Sequence, residues 1–209
     1  MYWAEFFTIA IAHLFAVASP GPDFYVVMRQ SVRGGTRSGI WTSLGVGSAI
    51  LLHVTYCLLG VALLLSQSPV LFEVMKFLAA GYLFYLGVQS IRASFVQPEE
   101  EKAITEPVLS AARAFGVGFL TNGLNPKATL FFLALFTVVI DPSTPTSIQI
   151  MYGVYLALAT FLWFALLSFI LGIPRVRKTI LRIGVWLERA MGAILILIAL
   201  QIALNSVSF

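Results

Sequence analysis

Two short stretches of this sequence combine glycine, proline, a small polar residue and a charge within apolar surroundings. The first is S-P-G-P-D, from Ser19 to Asp23, and the second is T-N-G-L-N-P-K, from Thr121 to Lys127. Proline lacks the N–H that an α-helix needs and clashes with the preceding turn, so each stretch predicts a helix break that deprives backbone carbonyls of their partners. Glycine permits a bend and the close approach of a ligand. The two stretches are therefore candidate binding sites.

A new half-helix is expected to begin just beyond each break, near Pro22 and near Pro126. The N–H groups and positive dipole end of a half-helix can bind an anion such as a carboxylate. Asp23 can hold an ammonium group or a proton, and Lys127 can bind a carboxylate or pair with Asp23, because a lone buried charge costs several kcal/mol. This chemistry suits a zwitterion such as an α-amino acid. The candidate substrate-binding and coupling residues are Pro20, Gly21, Pro22, Asp23, Asn122, Asn125, Pro126 and Lys127.

Simpler interpretations of the same residues remain open. Asp23 can merely cap its half-helix, a role worth about 1 kcal/mol, and Lys127 can extend toward an interface. His13 is a candidate for a proton path because imidazole titrates near neutrality, although a hydrogen-bonded packing histidine is equally compatible. His53 has the same two interpretations with less support. Two charges beside two breaks favour a functional role.

The composition indicates that lipid surrounds most of this chain. Of its 209 residues, 59% are hydrophobic and only 11% are charged, whereas a soluble domain carries about 25% charged residues. The net charge is +4 without a basic tract, which argues against nucleic-acid binding. A single cysteine, Cys57, excludes an intramolecular disulfide, and the histidines lack metal-ligand spacing. We expect no cofactor, no metal and no enzymatic activity.

Six apolar stretches are long enough to cross a bilayer, which takes about 20 residues. They lie at about 3–28, 42–66, 71–95, 113–140, 149–172 and 188–207. The prediction is a single all-α integral membrane domain over 1–209 with six transmembrane helices, of which the first and the fourth are broken. It comprises a three-helix repeat at 3–95, a polar linker at 96–112 and a second repeat at 113–207. The first span contains Glu5 and lacks a basic leader, so we expect it to be retained.

Basic residues occur in alternate connections between these spans. The basic connections contain Arg29, Arg33 and Arg37, then Arg92, Lys102 and Arg113, then Arg175, Arg177, Lys178 and Arg182. Because positive charge marks the cytoplasmic side, both termini are predicted to be periplasmic. The two halves then have inverted topologies. Matching breaks in inverted halves indicate the midplane site of a transporter.

The two motifs, with their neighbours, resemble a known family. H-L-F-A-V-A-S-P-G-P-D-F and G-F-L-T-N-G-L-N-P-K-A resemble the signature stretches of the LysE/RhtB amino-acid exporters, most closely the threonine efflux branch. Chain length and the six spans also fit, so the resemblance covers the whole chain. It implies proton-driven antiport of amino acids out of the bacterial cytoplasm across the inner membrane. The residues that match the family's functional motifs are 20–23 and 125–127.

The sequence thus predicts a secondary active exporter of neutral amino acids, with threonine, homoserine or its lactone as substrate. Its partners are the amino acid, protons and the bilayer, with no nucleic acid, and small-residue faces are compatible with a homodimer. Alternatives are export of another amino acid, a small cation or a metal. A membrane redox carrier would need two facing cysteines, and a hydrolase would need a Ser–His, Asp–Asp or zinc constellation.

Overall fold

The computed structural model describes residues 2–67, 69–95, 108–141, 143–171 and 174–206. Within these residues the chain is all-helical, as predicted, with seven α-helices, one π-helical segment and no strand. The α-helices are α1 (Tyr2–Ala18), α2 (Pro22–Gln67), α3 (Pro69–Ala93), α4 (Ala111–Gly123), α5 (Pro126–Ala134), α6 (Thr146–Ile170) and α7 (Pro174–Ser206), and the π-helix, Leu135–Val139, follows α5 directly.

Helix ends coincide with both proline-containing motifs. Helix α1 ends at Ala18 and α2 begins at Pro22, while α4 ends at Gly123 and α5 begins at Pro126. Pro22 and Pro126 each occupy the first turn of a helix, where a missing N–H costs nothing because that group has no helical partner anyway. Asn125 caps α5 by accepting a hydrogen bond from the Lys127 N–H at 3.0 Å.

Two of the predicted connections between spans are largely helical. Helix α2 continues through the predicted connection between the first two spans, and its only non-helical residue is Gly35, with φ 71° and ψ −178°. Glycine reaches this positive φ without the steric penalty of other residues, so the chain kinks within the predicted connection. Likewise α7 begins at Pro174 and includes the basic residues that we assigned to the last connection. Arginine and lysine are good helix formers, so basic charge alone does not end a helix.

The apolar helices of the structure differ in length. Among the described residues, only Pro22–Gly60 and Thr146–Ile170 are long and apolar enough to span a membrane by themselves. Tyr2–Ala18 and Pro126–Thr137 are apolar but shorter, because the breaks divide the first and fourth predicted spans. Residues 96–107 of the predicted linker lie outside the described residues, and α4 already includes its last two residues.

Helices α2 and α4 cross at very close range. A Cβ built on Gly118 would overlap the carbonyl oxygen of Thr42, and one built on Gly45 would overlap that of Phe115. Such small-residue contacts bring two backbones together and are typical of helix packing in membranes. The crossing fixes α4 against α2, and therefore the position of the second break relative to the first.

Replacing Gly118 by Ala should lower stability by about 1–3 kcal/mol, because overpacking must push the two helices apart. Gly116→Ala is the matched control, since a Cβ there meets nothing within 4 Å. The gain in helix propensity is the same at both positions. Thermal unfolding in detergent measures the difference, and equal midpoints for the two variants would contradict the close crossing.

Candidate substrate-binding site

The two breaks face each other across a cavity of about 60 Å³ inside the helical assembly. Its polar lining comes from α1, from both breaks and from α6. These residues are His13, Ser19, Asp23, Asn122, Asn125, Lys127 and Thr160, with Gly21 and Pro22 between them. The remaining wall is apolar and includes Ile50, Phe131, Phe132, Phe164 and Met191. The cavity therefore joins a charged end to a largely aromatic one.

One carboxylate oxygen of Asp23 receives hydrogen bonds from both asparagines of the second motif. The Nδ2 groups of Asn122 and Asn125 donate to Asp23 Oδ2 at 3.0 Å and 3.2 Å. The oxygen of the same Asn125 side chain, Oδ1, caps α5, and this second contact fixes the orientation of the amide group. The carboxylate thus turns toward the α4–α5 junction, and the two motifs form a single site.

Two oxygen acceptors of this site have no hydrogen-bond partner among the described residues. They are Asp23 Oδ1 and Asn122 Oδ1, and both atoms are buried. A buried acceptor without a partner loses its hydration free energy uncompensated, a cost of about 1–3 kcal/mol and more for a charged group. Such acceptors beside a cavity are chemically suited to a ligand that brings N–H or O–H donors.

Lys127 reaches from the second break to the first. Its Nζ donates to the hydroxyl oxygen of buried Ser19 at 3.2 Å, and it lies 3.7 Å from the position that a Cβ on Gly21 would occupy. The side chain therefore lies beside the first break, which disfavours the interpretation that it simply extends toward an interface. The site therefore holds a carboxylate group from the first motif, that of Asp23, and an ammonium group from the second motif, that of Lys127.

Most of the predicted site residues line this cavity, whereas Pro20 and Pro126 do not. Pro126 begins α5, and the Pro20 ring packs against Gly184 of α7, where a Cβ would lie 2.6 Å from its Cγ. These two prolines shape the backbone without lining the cavity.

Sequence reasoning missed Ser19 and Thr160 as lining residues. Ser19 belongs to the first motif and could have been included on that ground. Thr160 lies in the uninterrupted apolar helix α6, where no local pattern marks it. It forms a hydrogen bond with the Nε2 of His13 at 2.8 Å, and both side chains are buried. The structure therefore places the proposed proton-path histidine on the cavity wall, paired with a hydroxyl group.

Paired helix breaks around a charged cavity, in a chain whose outer face is apolar, define a membrane transport protein of the helical class. The chain belongs to the LysE family: the model of the LysE type translocator matches residues 14–206.

Relatives with a stated activity support this membership. The chain is 27% identical to the threonine efflux protein of Salmonella typhi over 194 residues, which cover 90% of this chain and 92% of the relative. It is 26% identical to that of Escherichia coli K12, over 90% and 92% of the two chains. It is 35% identical to the leucine efflux protein of Salmonella choleraesuis over 146 residues, or 69% and 65%. No solved structure matches the chain significantly.

Proposed function

We propose that this protein is a secondary active exporter of neutral amino acids across the bacterial inner membrane, working by alternating access and coupled to protons. Its relatives are named for efflux of threonine and of leucine, two neutral amino acids. Threonine is our first candidate because the threonine efflux proteins match nearly the whole chain. Homoserine and its lactone are further candidates.

The main support for this proposal is the pair of buried oxygen acceptors that have no hydrogen-bond partner within the described part of the chain. An α-ammonium group has three N–H donors, and Asp23 Oδ1 and Asn122 Oδ1 are two buried acceptors at the same cavity. At the same cavity, the Lys127 ammonium and the first N–H groups of α2 offer donors to an α-carboxylate. The charged end is thus complementary to both ends of a zwitterion, and a carboxylate–ammonium pair of this kind is strengthened in a low dielectric.

The apolar wall of the cavity favours a substrate whose side chain is uncharged. Phe131, Phe132 and Phe164 lie on the cavity, and burying a second ammonium group among aromatic rings would leave that charge without an anionic partner. Such a desolvated charge costs several kcal/mol. Threonine and leucine should therefore bind better than lysine.

Asp23 offers a simple route to proton coupling. Its carboxylate can carry a proton or bind the substrate ammonium, and the two states exclude each other because both use the same oxygen atoms. Loading substrate on the cytoplasmic side would release a proton there, and protonation from the periplasm would release substrate, which gives antiport. His13 is the candidate that passes the proton, with its Thr160 partner on α6.

The membrane arrangement proposed is that of two inverted three-helix repeats with six spans and periplasmic termini. Its support is the match between the two helix breaks in opposite halves of the chain and the alternation of basic charge along the sequence. The substrate cavity would then lie near the bilayer midplane.

Efflux from proteoliposomes loaded with one amino acid at a time tests the proposed function. We expect threonine or leucine to leave at least about tenfold faster than lysine, and an inward proton gradient to accelerate this efflux. Empty liposomes control for leakage. Transport of lysine or Zn²⁺ in preference to every neutral amino acid would contradict the proposal, as would efflux that does not respond to the pH gradient.

A further inference from the structure

The carbonyl group of Asn122 has lost its helical partner for a specific reason. In a continuous helix the N–H of residue 126 would donate to the carbonyl oxygen of residue 122. Residue 126 is proline, so this donor does not exist. A carbonyl oxygen at this depth needs a replacement, because lipid offers no hydrogen bonds.

Two donors replace the missing one, the N–H of Asn125 and the ring of His53 in α2. The Nε2 of His53 lies 3.1 Å from the Asn122 carbonyl oxygen, and the ring is fully buried. Since a carbonyl can only accept, Nε2 must carry a hydrogen and donate. The N–H of Asn125 donates to the same oxygen at 2.9 Å, so both lone pairs of this carbonyl are used. His53 thus adds a donor from α2 to the one that the local backbone supplies.

The His53 ring also contacts the other side of the break. Because Nε2 donates to the Asn122 carbonyl, Nδ1 accepts the hydroxyl hydrogen of Tyr56, whose oxygen lies 2.6 Å away. The His53 ring also stacks on Phe132 of α5, with centroids 5.4 Å apart and planes within 1°. One histidine therefore contacts the end of α4 through the Asn122 carbonyl and the start of α5 through the Phe132 ring.

We infer that His53 is a positioning residue for the substrate site, acting through Asn122 and Phe132. Both of its partners line the cavity, although His53 itself does not. By holding the Asn122 backbone, His53 sets where the Asn122 side chain meets Asp23, and by stacking on Phe132 it sets the aromatic wall. This role rests on the proposed function, because the site it positions is the proposed amino-acid site.

Two substitutions at residue 53 separate positioning from simple packing. His53→Phe keeps a flat ring against Phe132 but removes both nitrogen atoms, whereas His53→Gln lacks the ring and keeps an N–H donor that can reach the Asn122 carbonyl. We expect His53→Phe to raise the KM for threonine efflux about tenfold, with kcat changed less than about threefold, because one hydrogen bond of ordinary strength is lost. His53→Gln should stay within about threefold of the wild type.

A purely structural role predicts the opposite order, because phenylalanine preserves the packing and glutamine does not. Greater loss of function in His53→Gln than in His53→Phe would therefore overturn the inference. Tyr56→Phe, which removes only the hydroxyl group, should have an effect no larger than that of His53→Phe.

Amide hydrogen exchange tests the same inference without substrate. His53 anchors the Asn122 carbonyl that accepts from the Asn125 N–H. Without this anchor the turn at the break should open more often, so exchange of the Asn125 N–H should be at least about tenfold faster in His53→Phe than in the wild type or in His53→Gln. Equal exchange rates in wild type and His53→Phe would contradict the positioning role, whichever solute is transported. Failure of the wild-type protein to export any amino acid would instead contradict the proposed function.

Discussion

Replacing Asp23 by Asn is expected to reduce threonine efflux by about 100-fold or more while leaving the protein folded. The new side-chain oxygen can still accept from the Asn122 and Asn125 amides, which donate to Oδ2 in the wild type. The new amide N–H₂ then replaces Oδ1, the buried acceptor that we assign to the substrate ammonium. Breaking a buried charge pair in this way costs about 3–5 kcal/mol, and each 1.4 kcal/mol is about a factor of ten in affinity.

The same substitution should abolish the response to a proton gradient. Asparagine cannot exchange a proton with the substrate ammonium, so any residual efflux should be independent of the pH difference across the membrane. Asp141→Asn is the matched control, because Asp141 is an exposed carboxylate outside the cavity whose hydrogen bonds from Ser143 lower its pKa. Undiminished, pH-dependent efflux by Asp23→Asn at normal expression would exclude the role that we give to Asp23.

The residues of the charged end could be predicted because their signals are local. Proline and glycine in an apolar run have few explanations, so the amino-acid sequence alone assigns Pro22, Asp23 and Lys127 to helix breaks. Asn122 and Asn125 belong to the second of these proline-containing stretches. The structure adds that both amides meet one oxygen of Asp23, which no local pattern encodes.

The partners that lie far apart in sequence could not be predicted. Thr160 pairs with His13 across 147 positions, and His53 reaches Asn122 across 69. Each is an ordinary residue of a long helix, and only the packing of α2 and α6 against the breaks gives it a role. The helical conformation of the connection around Gly35 could not be predicted either, since a basic segment rich in helix formers can continue a helix beyond the apolar span.

Replacing Lys127 by Gln is expected to weaken threonine binding by about 10–100-fold. The Lys127 ammonium stands beside Ser19 and Gly21 at the first break, where we place the substrate carboxylate. Hydrogen bonds between charged groups contribute about 1.5–3 kcal/mol each, which corresponds to this range of affinity. Thermal stabilisation of the purified protein by increasing threonine measures the change.

Threoninol, which has a hydroxymethyl group in place of the carboxylate, makes this prediction specific to one contact. Wild-type protein should bind threoninol more weakly than threonine, and Lys127→Gln should bind the two about equally, because the charge that distinguishes them is gone. Arg113→Gln, which removes an exposed cation from the first turn of α4, should leave the preference for threonine intact. If Lys127→Gln instead weakened both ligands by the same factor, Lys127 would act on the shape of the site rather than on the carboxylate, and the orientation proposed for the amino acid would be wrong.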